Sequence, residues 1–597
     1  MGLGEFFRHL FFVMASCLGL LGVPLPLPLP PLPEDPALLR AAPTDSVLFV
    51  EWFGCATPAE APKNQSERLA AEPELRTLVG KLVAASRGAL AEQEKDSRQA
   101  PGVLALFDQL VAALQRPGCA FVVSLKPLVG GIVVQAGDGS AALATAFGEA
   151  LGHLAPPDLA RETRQIGGVA FDALPLPGDQ FLAWAAIDGH FAVAIGELAA
   201  AQVVAGLRHD DAGLGGLAAL QQLRAGCKVE RPVLRTWAAV DKLGPQVEFA
   251  SKLWQPLGLS QATAALAESG LEDGHFVSRL QLVLPKPGGL LGALRGRPLS
   301  QDDLAPVPDD ATVALALRAR DGGFVDVLLD VMAAFAGTDV GRDWEQFLAH
   351  VKQSSGVHLR DDLIAHADDC VVAWSSPRQG GLGFTAAVAA VPLRDGETFA
   401  ANLTTMWDKM REIAPSKARE RAAGRQLSWR SGYLEEFEHA GSKVWWVDLI
   451  DRDAPFGLCW TSTDHHFLFG LMPQAVRCAI DASKLPNFDH ALARQPVIAR
   501  RGDAVAMLYL DLKGLLEQAY APGLLLLQSG SLEWQREGFD FTLADVPRLQ
   551  SLVTHLGPEV LLLEATPGGC LLTRRGSLPV LDALLVTCGM ACVMQGR

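Results

Sequence analysis

Two aspartate–histidine pairs are the residues of this chain whose types and spacing are best suited to chemistry. Asp188 and His190 flank a glycine, and Asp464 and His466 flank His465. A carboxylate beside an imidazole can transfer protons or bind a metal ion. Neighbouring side chains in a strand point to opposite faces, so the two adjacent histidines cannot both bind one ion without distortion. We therefore predict no metal site. The pairs are either acid–base groups or hairpin turns that carry a half-exposed histidine.

Two further aspartates, Asp241 and Asp511, each follow a predicted strand and precede a predicted helical stretch. An aspartate at this place commonly caps the free backbone amides of the helix. The alternative is a pair of catalytic carboxylates, one from each half of the chain, meeting at an interface. If the protein is an enzyme, these two residues and the two aspartate–histidine pairs are its candidate catalytic groups.

Motifs that bind cofactors or activate nucleophiles are weak or missing. Gly137 and Gly139 begin a G-x-G-x-x-A pattern, which resembles a dinucleotide-binding turn. The corresponding turn in the second half, residues 394–397, lacks these glycines, so an ordinary strand-to-helix turn explains both. The sequence has neither a Gly-x-Ser-x-Gly elbow nor a phosphate-binding P-loop. We predict no cofactor, and whether the protein is an enzyme is uncertain, with the balance against it.

The elements that must position these residues occur twice along the chain. Asp45 precedes the apolar run 47–50, and Asp310 precedes a similar run, 313–317, about 265 positions later. The aspartate–histidine pairs are about 276 positions apart, and Asp241 and Asp511 are about 270 apart. Such uniform offsets indicate the duplication of one unit. Two units of this size agree with the length of 597 residues, because single cores stop growing at about 250–300 residues.

Short strands separated by turns and punctuated by helices predict an α+β fold. We expect two tandem copies of a roughly 270-residue unit, with mixed or antiparallel sheets and packed helices, covering residues 43–300 and 306–597. The junction between them is rich in proline and glycine, which favours a domain boundary.

The N-terminus predicts export. About 14 mostly apolar residues, 10–23, follow a weakly positive start, which suits a signal peptide better than a full membrane span. Residues 1–23 are therefore expected to be a signal peptide or membrane anchor, with Cys17 a possible lipidation site in a lipobox-like context. Residues 24–42 are proline-rich and are expected to be an extended linker.

Composition limits the classes of partner. The net charge is −16, and no cluster of lysine or arginine is long enough for a phosphate-binding stripe, which argues against nucleic acid. Ten cysteines in 597 residues are too few for a disulfide scaffold. An envelope protein or a membrane surface is the expected partner, and the sequence does not define a small-molecule ligand.

The opening run 42–50, its counterpart 307–313 and the stretch 464–479 resemble a bacterial family of exported proteins that is catalogued only as a domain of unknown function. The resemblance spans most of residues 42–582 and rests on structural motifs. It implies an envelope location, in the periplasm or on the outer face of a membrane, and it carries no catalytic residue. The expected function is non-enzymatic binding or scaffolding. A hydrolase with a His/carboxylate site between the lobes, or a small-ligand carrier, is the alternative.

Overall fold

The computed structural model describes most of the chain. The described residues are 29–93, 100–154, 159–208, 212–243, 256–320, 340–380, 386–413, 432–449, 457–482, 502–536 and 542–578. Residues 1–28, including Cys17 and the predicted anchor, lie outside them. In the described part of the chain, no helix is both long and apolar enough to span a membrane.

Twenty strands form one continuous sheet within the described residues. Their bounds are β1 Leu48–Phe53, β2 Pro117–Leu125, β3 Leu128–Gln135, β4 Glu162–Ile166, β5 Val169–Leu176, β6 Gln180–Ile187, β7 His190–Ile195, β8 Arg231–Ala238, β9 Ala264–Glu272, β10 His275–Val283, β11 Val313–Arg318, β12 Cys370–Ser375, β13 Val388–Pro392, β14 Gly432–His439, β15 Ser442–Leu449, β16 Leu458–Ser462, β17 His466–Gly470, β18 Ala504–Asp511, β19 Pro558–Thr566 and β20 Gly569–Gly576.

The sheet is antiparallel at every strand pair described. From one edge to its middle the order is β4-β5-β6-β7-β3-β2-β1-β8-β9-β10. From the other edge it is β14-β15-β16-β17-β13-β12-β11-β18-β19-β20. The second order is the first with every strand number raised by ten. The prediction of an α+β fold is confirmed, and the choice left open between mixed and antiparallel sheets is resolved as antiparallel for these strands.

The two halves of the sheet join where β10 pairs with β20, with Phe276 opposite Gly576 and Val283 opposite Gly569. Backbone hydrogen bonds therefore continue from one half to the other without a break. Side chains add to this seam: the Ser66 hydroxyl donates to the Ser577 carbonyl oxygen at 2.7 Å, and Lys81 pairs with Asp545 at 2.6 Å. Both contacts join a residue of the first half to one of the second.

Helices cover both faces of the sheet. Their bounds are α1 Pro36–Ala41, α2 Gln65–Ala71, α3 Pro73–Gln93, α4 Ala100–Leu114, α5 Ser140–Leu154, α6 Glu197–Arg208, α7 Ala218–Cys227, α8 Val240–Leu243, α9 Gly289–Ala293, α10 Val340–Ser355, α11 Gly396–Ile413, α12 Pro473–Ala482, α13 Leu512–Arg536 and α14 Leu549–Val553. Residues 65–93 form two helices, α2 and α3, because Pro73 begins a new helix.

The main core of the first half lies on one face of the sheet. Phe49, Trp237 and Leu266 lie side by side on β1, β8 and β9, and all are nearly inaccessible to solvent. Helices α1, α6 and α7 cover them, with Leu38 and Leu220 fully buried. Burial of large apolar side chains on this scale is the main stabilising contribution to folding.

The structure corrects part of the predicted linker over residues 24–42. Its last residues form α1, in which Leu38 and Ala41 have no exposed surface. Asp35 caps this helix by accepting a hydrogen bond from the Ala37 amide at 3.0 Å. Similarly, Leu299 and Leu304 already pack into the core of the second half, so that half begins before the predicted start at 306. The proline-rich composition predicted an extended chain, but it could not show that the leucines after the prolines anchor this segment in the core.

Truncating Leu38 should therefore destabilise the whole first half. We expect Leu38→Ala to lower the free energy of unfolding by about 3 kcal/mol, because it leaves a cavity in a packed core. The matched control is Leu198→Ala on α6, where the side chain is 59% exposed; its effect should stay within about 0.5 kcal/mol. Urea unfolding of the two variants measures the difference, and equal effects would mean that residues 36–41 do not belong to the core.

Candidate functional site

A row of charged side chains crosses the sheet in the first half. Cross-strand register places Glu51 of β1 beside Arg235 of β8, Arg235 beside Glu268 of β9, and Glu268 beside Arg279 of β10. Directly opposed residues of antiparallel strands project from the same face. These four side chains therefore lie on the face that carries the main core, two positions along from Phe49.

Arg235 is the centre of this charge row. Its Nε donates to Glu268 at 2.8 Å, and its Nη1 donates to Glu51 at 2.5 Å and to Glu34 at 3.1 Å. The side chains of Arg235, Glu51 and Glu268 are at most 2% exposed, and Glu268 also accepts from the Val229 amide at 2.8 Å. The guanidinium also lies over the Phe53 ring, 5.3 Å from its centroid. This site therefore contains more acidic groups than basic ones: three carboxylates surround one buried arginine.

The same row continues across the seam into the second half, where it holds no charged side chain. Arg279 lies opposite Thr573, which is followed by Leu562, Met507 and Ala316. Counted outward from the seam, Leu562, Met507 and Ala316 take the places of Glu268, Arg235 and Glu51. Strands with the same pairing thus form with and without the charges.

Comparing the two halves indicates which buried charges belong to the fold and which point to a function. Removing two charges from water costs several kcal/mol, and replacing a buried ion pair with apolar residues of similar size is often neutral or stabilising by about 1–4 kcal/mol. Since the second half forms its strands around apolar side chains at these places, we expect that the sheet of the first half does not need its charges either. Buried charges with no structural necessity mark a candidate functional site.

The second half also contains two buried arginines, Arg318 and Arg574, but at different places. Arg318, at the end of β11, pairs with Asp303 and with Asp368, the latter at 3.3 Å. Asp303 precedes β11 as Glu34 precedes β1. An arginine that ties the entering segment to the sheet is therefore shared by both halves, and Glu51 and Glu268 are the additional carboxylates of the first half.

Burial dominates the protonation of Glu51. It raises the pKa of this carboxyl to about 7, although the charge of Arg235 lowers it. One of its oxygens, Oε1, has no hydrogen-bond partner among the described atoms. Burial also raises the pKa of Glu34, but Arg235 and then Arg224 outweigh it, so that this pKa is lowered overall. Glu34, beside the row, is therefore ionised at neutral pH, and Glu51, within the row, titrates near pH 7.

A cleft of about 620 Å³ opens beside the charge row. This volume lies within the range of about 300–1,000 Å³ that is usual for small-molecule sites. Charged side chains and an apolar wall share its lining, which comprises Pro31, Leu32, Pro33, Glu34, Gln221, Arg224, Ala225, Lys228, Val229, Glu230, Arg231, Pro232, Arg235 and Glu268. The cleft lies between the segment that enters α1, the end of α7 and the start of β8.

The first aspartate–histidine pair has a structural role in the described fold. As predicted, Asp188 and Gly189 form a tight turn, and both have positive φ. His190 Nε2 lies 2.8 Å from Asp35 Oδ2, whereas the Asp188 carboxylate accepts from Arg208 at 3.2 Å. Burial lowers the pKa of His190, but the bond to Asp35 outweighs it and the pKa is raised overall. The pair thus connects the hairpin to the cap of α1.

The second pair also lies at a hairpin, between β16 and β17. The His465 carbonyl accepts from the Leu393 amide at 2.8 Å, and the His466 amide donates to the Thr463 hydroxyl at 3.0 Å. Burial, followed by the charge of His465, lowers the pKa of His466. The Asp464 carbonyl oxygen packs closely against Gly396, where a side chain would collide with it. Backbone bonds hold this turn in place.

Asp241 and Asp511 do not occupy equivalent positions, contrary to the predicted correspondence. The Asp511 amide donates to the Thr312 carbonyl at 2.8 Å, and the bond at the matching place in the first half is from Ala239 to Val47, at 2.9 Å. Asp241 instead lies within α8. No hydrogen bond or ion pair described here joins the candidates of one half to those of the other. Among the described residues, no three His, Cys, Asp or Glu side chains are grouped to hold a metal ion.

The charge row was missed at the sequence level because its members are far apart along the chain. Glu51 and Arg235 are separated by 184 positions. A signal was present within the strands: Glu51 alternates with Phe49 and Phe53, so period-two patterning places a carboxylate on an apolar face. Arg235 interrupts its strand between Val233 and Trp237 in the same manner.

Comparison with known proteins gives little further information. No protein-family model matches the chain, and no curated protein matches it. Among solved structures, crystal forms III and I of TP0453 match at 7% and 8% sequence identity, with TM-scores of 0.22 and 0.19. The matches cover 43% of this chain and 82% and 81% of TP0453. Likeness this low carries no argument about fold or function.

The raised pKa of Glu51 predicts a pH-dependent stability. The folded protein keeps this proton up to about pH 7, whereas the unfolded chain releases it near 4.5, the ordinary pKa of glutamate, so stability falls as pH rises between these values. Glu51→Gln cannot ionise and should be more stable than the wild type at about pH 8, by at most about 3 kcal/mol, with little difference at about pH 4. Urea unfolding at both pH values measures this.

The control for this prediction is Glu230→Gln, which removes an exposed carboxyl that lines the same cleft. Its stability difference from the wild type should be small and should not change between the two pH values. A Glu51→Gln difference that is equally large at both values would show that Glu51 titrates normally.

Proposed function

We propose that this chain is a non-enzymatic binding protein of the bacterial envelope, with a ligand site in its first half and a scaffolding second half. The observation that carries the proposal is the charge row. At matched places in one sheet, the first half buries Glu51, Arg235 and Glu268 beside a cleft, where the second half has only apolar side chains. Charges that the strands do not require are consistent with ligand binding.

We infer further that the architecture arose from two tandem copies of one α+β unit. The matching strand order on either side of β10 and β20 supports this origin, as does the charge row that meets its apolar counterpart at the seam. Duplication would leave one copy free to lose or gain a site while both keep the sheet. That freedom accounts for charges at these places in one half only.

An exported or membrane-tethered location is part of the proposal. It rests on the apolar run 10–23 and on the family resemblance, both outside the structural argument. A surface for an envelope partner or a membrane is supported by α13, where Leu525 and Leu526 are 69% and 74% exposed. Within residues 512–529 of this helix the charged side chains are Lys513 and Glu517, so the exposed leucines adjoin other uncharged residues.

A small-ligand carrier is the second candidate function, and the volume of the cleft favours it. It differs from scaffolding in requiring release of the ligand, which the titration of Glu51 near pH 7 could control. A hydrolase draws less support, because the Asp188 carboxylate is bound to Arg208 and His190 is bound to Asp35.

Replacing the charge row with its second-half counterpart tests the proposal. In Glu51→Ala/Arg235→Met/Glu268→Leu the first half carries the side chains found in the second. The full chain and this variant are purified from the envelope fraction of an expressing bacterium and compared by native mass spectrometry. We expect a bound molecule at a fixed ratio on the wild type and none on the variant, since the site has lost its charges.

The control variant is Glu162→Leu/Arg164→Met, which removes an exposed ion pair from β4, outside the cleft. It should retain the molecule, and gel filtration with near-ultraviolet circular dichroism should show all three proteins folded. Equal occupancy of the wild type and the charge-row variant, or no bound molecule on either, would contradict the proposal.

A further inference from the structure

Two arginines converge on one carboxylate at the edge of the cleft. Arg224 Nη2 lies 2.8 Å and 3.2 Å from the two oxygens of Glu34, and Arg235 Nη1 lies 3.1 Å from Oε1. Guanidinium groups bind carboxylates through such charge-assisted bonds, with greater strength and geometric specificity than neutral donors. The pair has the chemistry of a carboxylate receptor, and Glu34 occupies it from within the same chain.

Arg235 of this arginine pair is held in place, whereas Glu34, which is bound to the pair, is partly exposed. Arg235 is held by Glu51 and Glu268 with 2% of its side chain exposed, while 33% of the Glu34 side chain is accessible. Glu34 lies between two buried anchors, Leu29 and Leu38. Its side chain can therefore rotate away from the arginines while the backbone on either side stays attached.

The charges around the cleft would allow a ligand carboxylate to take the place of the Glu34 carboxylate. Its lining carries four cationic side chains, Arg224, Lys228, Arg231 and Arg235, against three anionic ones, Glu34, Glu230 and Glu268. A ligand carboxylate that displaces Glu34 meets the same two arginines and exposes Glu34 to water. A dianion such as phosphate would bring a second negative charge towards Glu268 and Glu51, so a carboxylate is favoured over phosphate.

The rest of the cleft indicates what kind of chemical group the ligand carboxylate is joined to. Leu32, Pro33, Val229 and Pro232 supply an apolar wall next to the arginines. Such a wall adds binding energy through buried apolar area, and the arginines fix the orientation. A ligand with one anionic end and a short apolar body matches both features.

We infer that the cleft binds a carboxylate joined to a short apolar body, and that Glu34 is the internal competitor for the place of that carboxylate. The inference rests on the proposed binding function of this cleft. A free small acid and an acidic side chain of an extended peptide share this chemistry. They differ in size, so the test includes both.

Calorimetric titration of the full chain tests this inference with hexanoate as the free acid and with a peptide of the sequence of residues 31–36, Pro-Leu-Pro-Glu-Asp-Pro. Hexanamide and inorganic phosphate are the matched probes, all at one ionic strength and pH. We expect Glu34→Gln to bind at least one carboxylate probe roughly tenfold more tightly than the wild type, because its internal competitor is gone. Arg224→Gln should abolish binding of that probe.

Glu162→Gln is the control, since Glu162 is an exposed carboxyl on β4 outside the cleft; it should bind as the wild type does. Tighter binding of hexanoate alone identifies a free acid, and tighter binding of the peptide alone identifies a protein ligand. Affinity that does not change in Glu34→Gln, or binding of phosphate or hexanamide in place of both carboxylates, would overturn the inference.

Two results distinguish a wrong carboxylate inference from a wrong binding function. If native mass spectrometry finds a molecule without a carboxyl group that the charge-row variant loses, the binding function stands and the carboxylate inference is wrong. If the charge-row variant keeps every molecule that the wild type carries, the binding function is wrong as well.

Discussion

The register of the β10–β20 pair decides which side chains of the two halves share a cross-strand row. Antiparallel pairing continues across this seam, so a row that begins at Glu51 on β1 passes through Arg235 and ends at Ala316 on β11. A slip of one residue at any strand would turn the side chains of that strand to the other face. The fully buried core and the charge row depend on the same register, since they project from one face.

Within that register, Arg235 sets the local electrostatics. A buried guanidinium must be neutralised, and it gathers carboxylates from β1, β9 and the segment before α1. Its two buried partners, Glu51 and Glu268, place a negative charge beyond what the arginine alone can balance. The pKa of Glu51 rises chiefly because its carboxyl is buried, and that of Glu34 is lowered because Arg235 and then Arg224 outweigh its burial. At this row, the second half forms its sheet without a buried arginine and without carboxylates to neutralise one.

Much of the fold could be predicted from the sequence, because apolar alternation and turn residues act locally. The hairpin at Asp188 and the strands of the cores follow from such patterns. The edge strands β4 and β14 were missed because charged residues dominate them, as in Glu435, Glu436 and Glu438 of β14. Charged edges discourage pairing with other chains, and the same charges hide the strand from a search for apolar alternation.

Other misses have different physical causes. β9 is hard to predict because its small residues give little apolar signal, and β19 and β20 are hard to separate because the turn at Gly568 interrupts a continuous apolar pattern. Helix α1 was assigned to a linker because prolines surround it. Alternation within each strand could place Glu51 and Arg235 on apolar faces, but it could not show that they meet, since β1, β8 and β9 come together from distant parts of the chain.

The charge row is proposed to serve binding and not stability. The most direct measurement is the free energy of unfolding of Glu51→Ala/Arg235→Met/Glu268→Leu, by urea at about pH 7 without ligand, relative to the wild type. Because apolar replacement removes the desolvation cost of buried charges, the variant should be as stable as the wild type or more stable by about 1–4 kcal/mol. A loss of about 3 kcal/mol or more would show that the charges hold the sheet together, and the account would fail.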